Sequence, residues 1–281
     1  MTSSDMTSSD MTAIDLEAEY NNRARVPQSG ELIAGWARDA KAYREQGSAP
    51  RVIPYGSGER NKIDFFAAGD LSPIVVFIHG GYWQALDASF FSHLSRGLTH
   101  HGISVAMPSY DLCPQVSVAD IVTQMRAAVR ELAKLGRPLV ISGHSAGGHL
   151  AACMLATDWQ ALDPALPQDT VRAAYAISGL FDLPPLVPTS INKALQMDDA
   201  SARAVSPLFG PVPGHGSLDA VVGGEESAEY FRQSRSIVDA WGKAIPTRYD
   251  TVPGANHFTA IAPLADADSV MVKRLKALAG L

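Results

Sequence analysis

The stretch Pro138-Leu-Val-Ile-Ser-Gly-His-Ser-Ala-Gly-Gly-His-Leu150 decides how this chain is read. Residues 139–142 are an apolar run of strand length, and the good helix formers after Ser145 carry a helix from Ala146 to Leu155. The turn between them, Gly143-His-Ser-Ala-Gly147, matches G-x-S-x-G. Small residues on both sides of a serine let a strand become a helix so abruptly that the side chain is thrown clear of the backbone. The backbone N–H of Ala146 then belongs to the first turn of a helix, where it has no partner within the helix. Gly, Ser and Ala are common in any strand-to-helix turn, so the pattern alone is weak; the strand before it and the helix after it give it weight as a nucleophile.

Outward from that turn, apolar strands alternate with helices. Ile74–Ile78 is a strand too apolar to have a wet face, followed by a helix over 90–101, a strand over 104–107 and a helix over 118–135. Beyond the central turn come strands over 173–178, 218–222 and 247–252, with helices over 228–243 and 266–278. Continuous apolar strands separated by helices predict a mostly parallel sheet covered on both faces. Ahead of this rhythm, residues 51–55 and 62–67 read as a hairpin joined through Gly56-Ser-Gly58. Two helices, over 14–25 and 31–46, form an N-terminal arm. Leu32, Ile33, Trp36, Ala37, Ala40 and Tyr43 give the second its apolar face. Residues 183–216 break the rhythm with six prolines and read as a small cap insertion at the strand ends.

Composition sets the outer limits. With 281 residues, 46% hydrophobic and 19% charged, the chain is expected to form one globular domain over 13–281. Residues 1–12, containing Met1-Thr-Ser-Ser-Asp5 repeated as Met6-Thr-Ser-Ser-Asp10, read as a disordered, tag-like start with no signal-peptide character. A net charge of −6 gives no reason to bind nucleic acid or anionic lipid, and no apolar run is long enough to span a bilayer. The expected partner is a small molecule; a homodimer is compatible with the sequence but not specified by it. Only two cysteines occur, Cys113 and Cys153, in neither disulfide nor metal-ligand spacing, and this usage fits a cytoplasmic protein. No cofactor or metal motif is present: the glycines at 143–148 lack a phosphate-loop lysine, and no histidine pair has zinc spacing.

A serine hydroxyl needs a base, and the base needs a carboxylate to orient it. On a strand-turn-helix scaffold the order is nucleophile, carboxylate, histidine. Of eight histidines, His149, His215 and His257 follow Ser145. His149 lies one turn into the helix and reads as a structural or pocket residue, whereas His257, in Pro253-Gly-Ala-Asn-His-Phe258, sits in a loop after a strand. The carboxylate is expected after the 218–222 strand, where Glu225 and Glu226 both stand, with Asp182, one strand earlier, as a third choice. After the first apolar strand comes His79-Gly-Gly-Tyr-Trp83. Gly80 and Gly81 allow backbone N–H groups to approach a ligand and, with Ala146, are candidate oxyanion donors. His79 is expected to brace the loop, and Tyr82 and Trp83 either line a pocket or pack the loop on the core.

These segments together resemble the serine hydrolases of the α/β-hydrolase fold and, within them, the kynurenine formamidase (arylformamidase) group. His79-Gly-Gly-Tyr-Trp83 is similar to that group's H-G-G-x-W signature, and Gly143-His-Ser-Ala-Gly-Gly-His149 to its nucleophile elbow. Tyr20-Asn-Asn-Arg-Ala-Arg25 resembles its N-terminal segment. Glu226-Ser-Ala-Glu-Tyr-Phe-Arg-Gln-Ser234 is similar to its acid-bearing segment, a register that assigns the acid to Glu226, where characterised members usually carry aspartate. The resemblance implies a catalytic triad of Ser145, Glu226 and His257, an oxyanion hole from Gly80, Gly81 and Ala146, substrate contacts from Tyr82 and Trp83, and no cofactor. It implies hydrolysis of N-formyl-L-kynurenine to L-kynurenine and formate, a step of tryptophan degradation. A general carboxylesterase and a non-catalytic binding module on the same fold are the alternatives.

Overall fold

The computed structural model describes residues 14–281; the duplicated Met-Thr-Ser-Ser-Asp start lies outside the described residues. Eight strands form one sheet: β1 (Arg51–Pro54), β2 (Lys62–Phe66), β3 (Ile74–Ile78), β4 (Ser104–Pro108), β5 (Leu139–His144), β6 (Val171–Ile177), β7 (Ser217–Gly223) and β8 (Thr247–Val252), in the order β1-β2-β4-β3-β5-β6-β7-β8. The hairpin β1–β2 is antiparallel, β2 joins β4 antiparallel, and every other pairing is parallel. Every residue of β3, β4 and β5 is buried, which is why these segments carry no alternation of polar residues. In the hairpin loop, Asn61 Oδ1 accepts the Gly58 N–H at 3.1 Å, so the turn is closed by a side chain.

The helices are α1 (Leu16–Tyr20), α2 (Asn22–Arg25), α3 (Ser29–Glu45), α4 (Ser95–His100), α5 (Val118–Ala133), α6 (Ala146–Leu155), α7 (Trp159–Leu162), α8 (Asn192–Leu195), α9 (Asp199–Ala204), α10 (Ala228–Trp241) and α11 (Val270–Leu278). Two apolar cores result, one on each face of the sheet. Ile121, Met125 and Val129 of α5, Leu150 and Met154 of α6, and Ile237 and Trp241 of α10 fill one. Leu98 of α4 and Met271, Val272 and Leu275 of α11 fill the other, with Trp36 and Tyr43 of α3 packed against it. Each fully buried aliphatic side chain contributes roughly 1.5–3 kcal/mol.

Local chemistry shifts several boundaries. The helix expected over 90–101 is split into 3-10 turns at Ala88–Phe90 and Ser92–Leu94 before α4, because Phe91 leaves helical geometry at φ −121° and ψ 3°. The last helix begins at Val270 rather than 266, where the Ser269 side chain caps the Val272 N–H. The proline-rich insertion contains α8, α9 and two 3-10 turns, Pro184–Leu186 and Pro207–Phe209, each opening on a proline in its first turn. Proline suits that position because its missing N–H has no helical partner to lose. No described helix is long and apolar enough to cross a membrane.

Candidate active site

At the end of β5 the backbone of Ser145 takes φ 56° and ψ −117°, a conformation costing a non-glycine residue about 1–3 kcal/mol. Its surroundings hold it there. The Ser145 N–H donates to the Ile177 carbonyl at 2.8 Å, tying the turn to β6. A methyl group on Gly147 would stand 1.9 Å from the Ile78 carbonyl oxygen, and one on Gly143 would stand 2.1 Å from that of Gly147. Both contacts are with backbone, which cannot swing aside, so each glycine of the motif is fixed by crowding. Ser145 itself is 2% exposed and borders a cavity of about 400 Å³.

Glu226 lies in the turn after β7 and His257 in the loop after β8. One Glu226 oxygen accepts the Gly223 N–H at 2.7 Å and the Ser178 hydroxyl; the other meets His257 Nδ1 at 2.6 Å. A carboxylate can only accept, so Nδ1 is the donor in this contact. The His257 backbone carbonyl meets His144 Nε2 at 2.9 Å. His144 is fully buried, and that burial, with the neighbouring His257, holds its pKa well below the ordinary histidine value. As a neutral ring donating from Nε2, it fixes the loop without adding charge. The other two acid candidates stand elsewhere: Glu225 is exposed, and Asp182 pairs with Arg232 at 2.8 Å.

His257 and Ser145 border the same cavity, yet the contacts of His257 go to Glu226 and His144, and no hydrogen bond joins the Ser145 hydroxyl to the imidazole. Tyr230 lies beside both. Its ring centroid is 4.7 Å from that of His257, and its hydroxyl lies near that of Ser145. Burial raises the Tyr230 pKa, so the phenol stays protonated. Contacts between a nucleophile and its base are often long in an unliganded site and tighten around a substrate.

The loop after β3 approaches the serine from another side. A methyl on Gly80 would meet the His144 carbonyl at 2.9 Å and Ser145 Cβ at 3.1 Å. Gly81 has φ 106°, and a methyl there would meet the Ala85 carbonyl at 2.3 Å. The N–H groups of Gly80, Gly81 and Ala146 have no acceptor among the described residues. His79 braces this loop: its ring stacks on Tyr110 at 4.2 Å and its Nδ1 meets the Gly80 carbonyl at 2.8 Å. Burial pulls the His79 pKa down to about 4.

The two aromatic residues of the loop part company. Tyr82 borders the cavity, its hydroxyl 2.7 Å from that of Tyr230 and 2.6 Å from the Tyr20 carbonyl. Trp83 does not reach the cavity; it is wholly buried and stands edge-on to His149 at 5.1 Å, so the substrate contact expected of it is corrected to a packing role. His149 is structural, its Nε2 2.7 Å from the Val205 carbonyl. The remaining walls come from residues 84–86 of the same loop, Ile33 and Trp36 of α3, Phe258, Ser190 and Ile191 of the insertion, and the arm from Tyr20 to Arg23. Among the described residues no group of His, Cys, Asp and Glu is placed to hold a metal ion.

His144, Ser178, Tyr230 and Asn22 are functional candidates that the sequence reading did not single out. Asn22 donates to Tyr230 at 2.8 Å and to Tyr82 at 3.3 Å. Its only signal in the sequence is its place in the Tyr20-Asn-Asn-Arg segment.

Comparison with known proteins agrees with this architecture. The profile of a family described as having the α/β hydrolase fold matches residues 75–217. A kynurenine formamidase of Salmo salar is 32% identical over 81% of this chain and 81% of its own, and one of Danio rerio is 30% identical with the same coverage. A solved structure from a Silicibacter species, provisionally described as a thioesterase, superposes with a TM-score of 0.83 at 36% identity, covering 93% of this chain and 98% of its own.

Proposed function

Because the chain belongs to the α/β-hydrolase fold, in its kynurenine formamidase-like family, we propose that it hydrolyses N-formyl-L-kynurenine to L-kynurenine and formate, with Ser145 as nucleophile. The observation that carries the reading is the Glu226–His257 contact at 2.6 Å, bordering the same cavity as a serine on a strained strand-to-helix turn. In this mechanism Ser145 Oγ attacks the formyl carbon while His257 Nε2 takes its proton. Glu226 holds the imidazole in the required tautomer and steadies the cation that forms. The carbonyl oxygen, now an anion, is met by the N–H groups of Gly80, Gly81 and Ala146; each such donor is worth on the order of 10² to 10³ in rate. Collapse breaks the C–N bond as His257 returns the proton to the aniline nitrogen. Water then attacks the formyl ester through the same base, releasing formate and restoring Ser145.

An aniline leaves more readily than an alkyl amine, and a formyl group asks for little room beside the loop glycines. Cavities of about 300–1,000 Å³ suit small organic ligands, and this one lies in that range. A cytoplasmic location belongs to the same reading, since Cys113 and Cys153 are both free. The test is release of kynurenine from its formyl derivative by the purified protein, followed by absorbance. Turnover confined to short-chain p-nitrophenyl esters would favour a general esterase.

A further inference from the structure

The cavity beside Ser145 is walled by aromatic, aliphatic and uncharged polar groups, with one exception: Arg23 is its only lysine, arginine, aspartate or glutamate among the described residues. The charges around it are already engaged. Asp15 caps the Ala18 N–H at 3.1 Å. Glu17 accepts both the N–H and the hydroxyl of Ser190 at 2.7 Å. Glu19 accepts the Glu229 N–H at 2.9 Å and lies 4.0 Å from Arg25. The guanidinium of Arg23 makes no ion pair and no hydrogen bond among the described residues, although three carboxylates occur within eight positions before it. A chain of net charge −6 thus keeps an unspent cation at the rim of its reaction cavity.

The wall beyond Ser145 suits a flat apolar body. Trp36 and Phe258 lie 5.9 Å apart, centroid to centroid, and Trp36 stands edge-on to His144 at 6.4 Å. Resting on the acyl-transfer reading above, we infer that Arg23 is the residue that selects the leaving group, binding a carboxylate carried on the far side of an aromatic ring. A planar guanidinium grips a carboxylate through two parallel N–H bonds, which a neutral ester or amide tail cannot return. The acyl group needs no such partner, so the preference belongs to the half of the substrate that departs first.

The test uses two matched substrate pairs: N-formyl-L-kynurenine against formanilide, and 3-(4-acetoxyphenyl)propionate against its methyl ester. The reading is the ratio of kcat/KM for the charged over the neutral member. In the ester pair this ratio should exceed one and fall roughly tenfold in Arg23→Ala, the size of one charge-assisted hydrogen bond lost from a partly open site. Arg23→Lys should recover part of it, and added salt should lower the ratio in the wild type but not in Arg23→Ala. Loss of packing alone would depress both members equally and leave the ratio fixed. Ester ratios that are the same in wild type and variant overturn the assignment of Arg23. Refusal of both formamides, with the ester ratio still dependent on Arg23, overturns the formamidase reading and leaves the carboxylate preference standing.

Discussion

Ser145 is held by backbone. Gly143, Gly147 and Gly80 let main chain from β3, β5 and α6 come so close that a single methyl would collide, and the Ser145 N–H is tied to β6. The arm over residues 14–25 walls the same cavity but is held by side chains. The Tyr20 hydroxyl donates to Glu229 at 2.6 Å and accepts from Gln233 at 2.8 Å, Asn22 bonds Tyr230, and Glu17 reaches Ser190 in the insertion. Contacts of the first kind are intolerant and specify one geometry. Contacts of the second kind are individually worth about 1 kcal/mol and can be retuned one at a time. On the function proposed above, chemistry and recognition fall to these two regions separately, and changes in them are expected to differ in kind as well as in size.

The largest effect is expected at the serine. Ser145→Ala should lower kcat by about 10⁶-fold, because residues acting as a unit fail together. It should also abolish covalent labelling by a fluorophosphonate, while the thermal midpoint stays close to that of the wild type. A residual rate within a hundredfold of the wild type would remove Ser145 from the reaction. Next, Glu226→Gln should cost on the order of 10⁴ in kcat, the scale on which a base loses its orienting charge. Glu225→Gln, in a side chain exposed to solvent, should change the rate less than about twofold. Equal losses in the two variants would break the assignment that the Glu226–His257 contact supports.

In the arm the effects should be smaller and fall on KM and stability. Tyr20→Phe removes one donor to Glu229 and one acceptor for Gln233, while Arg232 still meets Glu229 at 2.7 Å and Gln233 still bonds the Asp182 carbonyl at 2.7 Å. The expected cost is about 1–2 kcal/mol, seen as a thermal midpoint lower by about 2–6 °C. KM should rise a few-fold with kcat little changed. A fall in kcat as large as that of Glu226→Gln would erase the distinction between the two regions.

The same contrast explains what was legible in the sequence. The elbow, the glycine loop and the loop that carries His257 were readable because a forced backbone leaves glycines at fixed offsets and an alternating fold puts its loops in a fixed order; loop order alone left Glu225 and Glu226 side by side, and only the resemblance to the formamidase segment chose between them. The strand order itself followed only in part: alternation predicts parallel strands, but nothing local says that β4 lies between β2 and β3. Tyr230 was not readable, since an aromatic residue inside an amphipathic helix looks like core until the arm, more than 200 positions away, brings Asn22 against it. Ser178 has φ 52° and touches Glu226, yet one serine after a strand carries no mark of that. Tyr82 and Trp83 look alike as neighbours. Both have a left-handed backbone, φ 49° and 56°, and only the three-dimensional packing sends one ring to the arm and the other into the core.

The smallest expected effect tests how the arm is latched to the insertion. The Glu17 carboxylate accepts both the N–H and the hydroxyl of Ser190, and the backbone hydrogen bond from Ser190 is the largest of the influences holding its pKa below the ordinary glutamate value. A carboxyl group whose folded pKa is depressed stabilises the fold above its unfolded pKa, near 4.3, and loses that contribution as pH falls through the folded value. Glu17→Gln keeps an acceptor oxygen but gives up the charge. At neutral pH the variant should melt no more than about 2 °C below the wild type, as expected for a mostly solvated contact, with KM raised about twofold or less. The gap in melting temperature should narrow as pH is lowered from about 5 towards 3, because the wild-type carboxylate takes up the proton that makes it resemble the amide. A gap that stays constant across that range would mean that the charge of Glu17 contributes nothing to the latch, and that only the shape of the contact holds the arm against the insertion.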